Sequence, residues 1–307
     1  MQILFALGLE NFFPKLAKAE TENLIPQDES FQMLVFADSQ CVDYKVWQKV
    51  ADFADKNFPD AKLATVIGDL VDNGAADYQW REWVKAAENL LRDRIFLPVI
   101  GNHECYNLEW KFCLPEGFLK RFKIPKIDEE KFQGYFYSFD YGAATFFVLN
   151  NNFEELENFL PDMKEIQENW LRREVKKSDK IWKIVLIHKD IFNYAENKFD
   201  ELGKIFMPLF DELEIDLVLT GHLHTYRNRG KIFDFKKSFA GTCYILCGRS
   251  GDQKYLENNS DIDEVTVPDS KNEPETFLTV DISESNLALT CYGVGGEIFD
   301  KFTLQKI

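Results

Sequence analysis

The sequence predicts an α/β protein, on three observations. Five apolar runs each end in oxygen or imidazole donors, as strands do where an α/β sheet carries a site. Amphipathic segments of helical period separate the first three runs, so that Asp38, Asp69 and Asn102 recur at intervals of 31 and 33 residues, the length of successive βαβ units. Past residue 240 the pattern becomes rich in strands.

The sequence predicts a peripheral segment over the first 30 residues and one domain without internal repeats over residues 31–307. The segment has an apolar stretch and an Ala-x-Ala-like end at Ala17–Ala19, but Glu10 and Asn11 interrupt it and no basic region precedes it. A truncated export signal and an amphipathic or disordered segment both fit. The location is therefore open, exported in the first case and cytoplasmic in the second.

Helical spacing predicts the next elements. Residues 44–57 place Val46, Val50 and Phe53 on one face, and residues 75–92 repeat the period from Trp80 to Leu91. A loop around a short helix is expected over residues 105–125. The tryptophan stripes indicate core packing rather than a stacking platform.

The second half alternates in the same way. Residues 134–152 predict two strands joined at Tyr141–Gly142, followed by a helix over residues 163–177. A strand precedes His188, and a helix over residues 202–215 leads to the strand before Gly221. Residues 248–274 are acidic and poor in apolar side chains, which predicts an exposed loop.

Composition limits the function. The 307 residues are 45% hydrophobic, enough for a substantial core, and carry a net charge of −16. Such a charge repels phosphate backbones, so no nucleic acid partner is expected. The six cysteines contain no CxxC pair and are predicted to be buried free thiols. The sequence contains no stretch of about 20 apolar residues, so no transmembrane anchor is predicted.

Polar donors at the ends of the five runs indicate a metal site. Taken alone, each has an ordinary explanation, such as a helix cap or a turn residue. Together they include every histidine of the chain, and they supply the bridging carboxylate, imidazoles and carbonyl oxygens that hold two cations around a shared hydroxide. The mixed nitrogen and oxygen set suits iron, manganese or zinc. The donors are Asp38, Gln40, Asp69, Asp72, Asn102, His103, His188, His222 and His224.

The motifs "ADSQ", "GDLVDNG", "GNHE", the lone His188 and "GHLH" resemble, in order, the five motifs of the calcineurin-like metallophosphoesterase superfamily. The flanking "GHLHTYRNRG", "CYILCGRSGDQKY" and "GGEIFDKFTLQK" are similar to its purple-acid-phosphatase-like branch. The resemblance covers residues 31–307 and implies a four-layer α/β/β/α sandwich of the metallo-dependent phosphatase type.

The resemblance also implies a role for each donor. Asp69 would bridge two metal ions. His103 would lie beside the substrate phosphate as acid or charge stabiliser, with Asp72 orienting it. The first ion would be held by Asp38, Asp69, His224 and Gln40, and the second by Asp69, Asn102, His188 and His222.

Three positions depart from the superfamily pattern. Gln40 stands where most members have histidine, which predicts a weaker first metal site. Asp72 stands where purple acid phosphatases have a ligating tyrosine, so no tyrosinate colour is expected. Asn73 replaces the arginine that clamps phosphate in serine/threonine phosphatases, which leaves Arg227 and Arg249 as candidate substrate ligands.

The sequence thus predicts a binuclear-metal phosphoester hydrolase in which the metal-bridging hydroxide attacks a phosphomonoester or a phosphodiester, assisted by His103. The alternative is a catalytically inactive metal-binding scaffold of the same fold. The predicted ligand is a small phosphoester; the oligomeric state is left open.

Overall fold

The computed structural model describes residues 30–255, 260–266 and 273–306. The predicted N-terminal segment, for which a truncated export signal and an amphipathic or disordered segment both fit, therefore lies outside the described residues, apart from Ser30. In chain order the strands are β1 (Phe31–Phe36), β2 (Leu63–Val66), β3 (Ile95–Pro98), β4 (Tyr137–Tyr141), β5 (Ala144–Val148), β6 (Trp182–Leu186), β7 (Phe192–Asn193), β8 (Lys198–Phe199), β9 (Leu217–Thr220), β10 (Tyr226–Phe233), β11 (Lys236–Lys237), β12 (Thr242–Cys247), β13 (Val265–Thr266), β14 (Thr276–Ile282), β15 (Asn286–Gly293) and β16 (Ile298–Gln305).

Helices occupy most of the segments with helical period. In chain order they are α1 (Lys45–Asn57), α2 (Asp77–Ala86), α3 (Glu88–Arg92), α4 (Glu116–Arg121), α5 (Phe153–Leu156), α6 (Met163–Lys177) and α7 (Glu201–Glu212). In the part of the chain that the structure describes, none of them combines the length and apolarity that a membrane crossing requires.

The strands form two large sheets. The first has the order β16-β15-β14-β1-β2-β3, with β1, β2 and β3 parallel and the other three antiparallel. The second has the order β11-β10-β12-β9-β6-β5-β4, with β13 beside β10. Its central strands β12, β9, β6 and β5 are parallel, and β7 and β8 pair separately. The parallel centres confirm the predicted βαβ units.

Alternate residues of each strand face two different cores. In β1, Met33 and Val35 belong to one core, whereas Leu34 and Phe36 belong to the other. The core of Met33 also contains residues of the second sheet, so the two sheets pack face to face. These residues of the second sheet include Val148, Ile184, Leu217 and Ile245.

Helices cover the outer faces of both sheets. On the first sheet, the ring of Trp47 in α1 lies 5.2 Å from that of Phe36. The ring of Trp83 in α2 lies 5.8 Å from that of Phe96 in β3. The residues that α6 and α7 add to the outer core include Trp170, Leu171, Phe206 and Phe210. The layers run helix, sheet, sheet, helix, which confirms the predicted four-layer sandwich and the core role of the tryptophans.

The fold differs from the sequence expectation in three places. The helix predicted over residues 75–92 is interrupted at Ala87, whose φ of −115° and ψ of 21° separate α2 from α3. Strand β10 was not indicated, since its buried Arg227 and Arg229 look like surface residues in sequence. The acidic segment predicted to be exposed contains the buried Arg249 and Glu273, because pairing with opposite charges makes burial possible.

This topology brings the five donor-bearing run ends to one place. Asp38, Asp69 and Asn102 follow β1, β2 and β3 of the first sheet. His188 follows β6 and His222 follows β9, both in the second sheet. The site therefore lies where the carboxyl ends of the parallel strands of both sheets meet.

Candidate metal centre

Two triads of candidate metal ligands share one carboxylate. Ligand atoms of Asp38, Asp69 and His224 lie within 4.8 Å of one another, and so do those of Asp69, His188 and His222. Asp69 is the common member and is almost fully buried. The side chains that the sequence grouped are therefore brought together as two adjoining sites.

The backbone at this centre is strained. Four of the seven predicted ligands adopt positive φ, with Asp38 at 49°, Asp69 at 51°, His222 at 76° and His224 at 54°. Each such residue destabilises the chain by roughly 1–3 kcal/mol and persists only where the surroundings enforce it. Strain of this kind clusters at functional sites, because it aims donors that a relaxed turn would not.

Hydrogen bonds fix the orientation of three imidazole rings. Nδ1 of His188 donates to the carbonyl of Ile67 at 2.8 Å, and Nδ1 of His224 donates to the carbonyl of Gln253 at 2.8 Å. Nδ1 of His103 donates to the carbonyl of Asp72 at 2.6 Å. Each ring thus presents Nε2 to the cluster, which is the arrangement that positions histidine for a metal.

The amide of Gln40 lies beside the first triad as a fourth candidate ligand. In the orientation that satisfies the nitrogen of this buried amide, that nitrogen donates to the carbonyl of Asp69 at 2.9 Å and to that of Asp38 at 3.3 Å. The amide oxygen then lies 3.3 Å from Oδ2 of Asp69 and 3.3 Å from Nε2 of His224. An oxygen, a carboxylate and an imidazole nitrogen converge there with no donor between them, which suits a cation.

The second triad is extended by Asn102. Its Oδ1 lies 3.1 Å from Nε2 of His188, which in turn lies 3.2 Å from Oδ2 of Asp69. The ring of His222 stands 5.2 Å from that of His188. The main-chain N–H of His222 donates to both carboxylate oxygens of Asp38 at 2.9 Å, which links the two triads.

The charges of the cluster depend on burial and proximity. Burial opposes the charge of Asp69, but His188 and His103 outweigh it and hold the pKa of Asp69 below its usual value. Burial lowers the pKa of His222 to about 3, so this imidazole is neutral. Burial also opposes the charge of His188, yet Asp69 raises its pKa to about 9. Asp69 thus favours the protonated form of His188.

The turn after β3 packs so closely on the turn after β2 that no side chain fits at Gly101. A Cβ there would lie 2.1 Å from Oδ1 and 2.2 Å from the main-chain nitrogen of Asp69. Only glycine allows the turn after β3 to approach the turn after β2 this closely.

Glu104 holds these two turns together and was missed by the sequence analysis. Its buried carboxylate accepts four main-chain N–H groups, from Asp69 at 3.0 Å, Leu70 at 2.9 Å, Val71 at 3.3 Å and Gly101 at 2.7 Å. Burial, together with the charge of Asp69, raises the pKa of Glu104 to about 7. Its place in "GNHE" beside two candidate functional residues was the available signal.

His103 lies next to the cluster, with Nε2 3.9 Å from Oδ2 of Asp69. The contact predicted from Asp72 is made by its carbonyl, since its carboxylate oxygen is 3.7 Å from Nδ1 of His103. That carboxylate instead accepts from Nε2 of Gln253 at 2.7 Å. Burial opposes a charge on His103, but Asp69 and the carbonyl of Asp72 raise its pKa above the usual value.

The segment after β12 closes one side of the centre, a role that the sequence analysis did not assign to it although it lies in the motif "CYILCGRSGDQKY". Gln253 contacts both His224 and Asp72. The ring of Tyr255 stacks on His224 with centroids 4.1 Å apart and is 42% exposed. Part of the segment predicted to be a solvent loop is thus a wall of the site.

The two arginines predicted to bind substrate are held elsewhere. Arg227 is fully buried, and its guanidinium donates to the hydroxyl of Thr225 at 2.5 Å and the carbonyl of Tyr226 at 2.6 Å. Arg249 is equally buried and donates to the carbonyl of Glu273 at 2.9 Å. Neither guanidinium faces the metal-ligand cluster through these bonds.

The chain belongs to the calcineurin-like phosphoesterase family, whose model matches residues 31–226, more than half of the chain. This confirms the resemblance seen in the motifs. Purple acid phosphatase 18 of Arabidopsis thaliana is 24% identical over 195 residues, covering 62% of this chain and 43% of that protein. Phosphoenolpyruvate phosphatase of Allium cepa is 24% identical over 200 residues, covering 58% of this chain and 40% of that protein.

Among solved structures, purple acid phosphatase PPD1 from yellow lupin (Lupinus luteus) seeds superposes with a TM-score of 0.74 at 18% identity. The match covers 90% of this chain and 54% of that one. It shows a shared fold. The chain spans less than half the length of these two curated relatives.

Proposed function

We propose that this chain is a binuclear-metal-dependent phosphoester hydrolase. The observation that supports the proposal most is the pair of ligand triads sharing Asp69, each with its ligand atoms within 4.8 Å of one another. A two-metal hydrolase holds its ions about 3.5–4 Å apart, and a carboxylate common to both sites can bridge that distance. Family membership points to the same chemistry.

The donor set fits two transition-metal ions. The first triad offers two carboxylates, an imidazole and the amide oxygen of Gln40; the second shares the carboxylate of Asp69 and adds two imidazoles and the amide oxygen of Asn102. Such mixed oxygen and nitrogen sets suit iron, manganese or zinc rather than calcium. The first ion would be held by Asp38, Gln40, Asp69 and His224, and the second by Asp69, Asn102, His188 and His222.

The residues of the chain prepare the site for a phosphoester. When bound, the metals would supply Lewis-acid activation of water and of the phosphoryl oxygens. The carbonyl of Asp72 fixes the ring of His103 by accepting from Nδ1. Nε2 of His103 then faces the centre, where the nearby carboxylate of Asp69 favours the protonated form. His103 can thus give a proton to the leaving oxygen or stabilise charge on the phosphoryl group.

The test is a comparison of metal-free and metal-reconstituted protein on phosphoesters, with metal content measured by elemental analysis. We expect turnover only in the reconstituted protein, with about two ions per chain. Comparing p-nitrophenyl phosphate with bis(p-nitrophenyl) phosphate assigns the ester class. A protein with two verified ions that hydrolyses neither ester would refute the proposal and favour the scaffold alternative.

A further inference from the structure

An aromatic pair, Tyr106 and Trp110, stands beside His103. The ring of Tyr106 lies 5.9 Å from that of His103, and the ring of Trp110 lies 6.1 Å from it, both edge-to-face. Tyr106 and Trp110 are themselves 5.8 Å apart. Trp110 is 53% exposed, which leaves part of its ring free to contact a ligand.

The loop that carries the pair is rigidly built. Asn107 accepts at its side-chain oxygen from the main-chain N–H groups of Glu109 at 3.0 Å and Lys111 at 2.9 Å. Its carbonyl accepts from the N–H of Trp110 at 2.9 Å and from Nδ2 of Asn73 at 2.8 Å. The loop is thus tied to the turn that follows Asp69, so the aromatic pair keeps a fixed position relative to the metal-ligand cluster.

Trp110 is also held in a strained conformation. Its φ of 58° lies in the left-handed region, which bulky residues rarely adopt. Such strain is retained where surrounding contacts enforce it, and it is found at ligand-binding sites. The strain here does not serve burial, since half of the ring remains in solvent. The ring held in this conformation lies 6.1 Å from that of His103.

The position of the pair relates it to the leaving group of a phosphoester. Both rings contact His103, whose Nε2 lies 3.9 Å from Oδ2 of Asp69, the carboxylate that the two triads share. A phosphoryl group at the triads whose leaving oxygen faces His103 places its alcohol portion next to the residues that surround His103, which include the pair. Aromatic faces and edges bind planar rings with a geometric preference that aliphatic groups cannot match.

We propose that Tyr106 and Trp110 form a leaving-group subsite that selects phosphoesters carrying a planar aromatic ring, with Trp110 as the specificity-determining residue. This inference rests on the proposed phosphoesterase function and names its substrate class. The ring is either an aryl group attached directly to the ester oxygen or a base joined to it through a sugar. The subsite recognises the chemistry that these two share.

The experiment measures binding of non-hydrolysable phosphonates to the Mn²⁺-loaded full chain by calorimetry. The probes are methylphosphonate, which has no ring, phenylphosphonate, and the phosphonate analogue of adenosine 5′-monophosphate. We expect at least one ring-bearing probe to bind about tenfold more tightly than methylphosphonate, as aromatic stacking allows. The probe that shows the preference identifies the source of the ring.

Three variants test the residue. Trp110→Ala keeps the Cβ and removes the ring, and we expect it to reduce the ring preference roughly tenfold. Trp110→Phe should restore part of that preference. Phe239→Ala removes a fully exposed aromatic ring remote from His103 in sequence and should leave the preference unchanged. Matching kcat/KM ratios of variant to wild type, taken for phenyl phosphate and for glycerol 1-phosphate, cancel the intrinsic reactivity of each leaving group.

The failures of the two proposals are distinguishable. A wild-type protein that binds all three phosphonates equally, or a Trp110→Ala variant that keeps the wild-type preference, overturns the subsite whatever the turnover. A ring preference that depends on Trp110 supports the subsite. Absence of hydrolysis of every ester by that same metal-loaded protein overturns only the proposed function.

Discussion

Replacing Glu104 by Gln tests how the metal-ligand turns are held. The carboxylate of Glu104 accepts two N–H groups at each oxygen, Leu70 and Val71 at one and Asp69 and Gly101 at the other. The amide of glutamine has one oxygen and one NH2 group. In either orientation, two of the four buried main-chain N–H groups therefore face the NH2 group, which cannot accept a hydrogen bond from them. Hydrogen bonds to a charged group contribute about 1.5–3 kcal/mol each, which gives a loss of about 3–6 kcal/mol. Because burial opposes the charge of Glu104, we expect a value near the lower end.

This loss is measured by urea unfolding of the metal-free protein. The pH must lie above the pKa of Glu104, which burial raises to about 7, so that the carboxylate of the wild type is ionised. A decrease of about 3 kcal/mol corresponds to a Tm lower by roughly 6–12 °C in a chain of this size. The matched control is Glu154→Gln, which alters an exposed glutamate and should change the free energy of unfolding by under about 0.5 kcal/mol. If the Glu104 variant unfolds no more easily than the control, the four hydrogen bonds do not stabilise the turns and the reasoning is refuted.

Three further substitutions probe the centre. Gln40→His should raise the affinity of the weaker metal ion about tenfold in competition titrations, because imidazole is a better donor than an amide; equal or lower affinity would argue against Gln40 as a ligand. Gly101→Ala should lower metal occupancy and Tm because its Cβ would lie 2.1 Å from Oδ1 of Asp69, whereas Gly295→Ala would meet only the flexible end of a glutamate and serves as the control. His103→Ala should lower kcat by a factor of about 10²–10⁴ with metal content unchanged. A kcat that stays within about threefold of the wild-type value would show that His103 has no catalytic role, since a general acid contributes far more than that.

Much of the fold could be predicted because the signals are local. The apolar runs and helical periods located the main strands and helices, and the 31- and 33-residue intervals predicted parallel pairing of β1, β2 and β3. The motif order located the candidate ligands that the structure brings together, since each strand is followed closely along the chain by its donors. Layer order came from the family resemblance and is confirmed by the two separate cores.

What could not be predicted depends on contacts between distant residues. Arg227 and Arg249 resemble surface cations in sequence, yet both are buried because the carboxylates of Asp263 and Glu273 meet Arg227, and the carbonyl of Glu273 and the carboxylate of Glu275 meet Arg249. The place of Tyr255 over His224 depends on how the segment after β12 folds back. The role of Glu104 depends on the approach of two turns whose residues are up to 35 positions apart. Periodicity and spacing do not encode such pairings.

The most direct test of the account is an anomalous difference map from crystals of the Mn²⁺-loaded protein. We predict two peaks about 3.5–4 Å apart with the carboxylate of Asp69 contacting both, and a single peak at most in crystals of Asp69→Asn. Two ions bound on opposite sides of the cleft without Asp69 between them, or an unchanged pair of peaks in the variant, would contradict the shared-carboxylate centre.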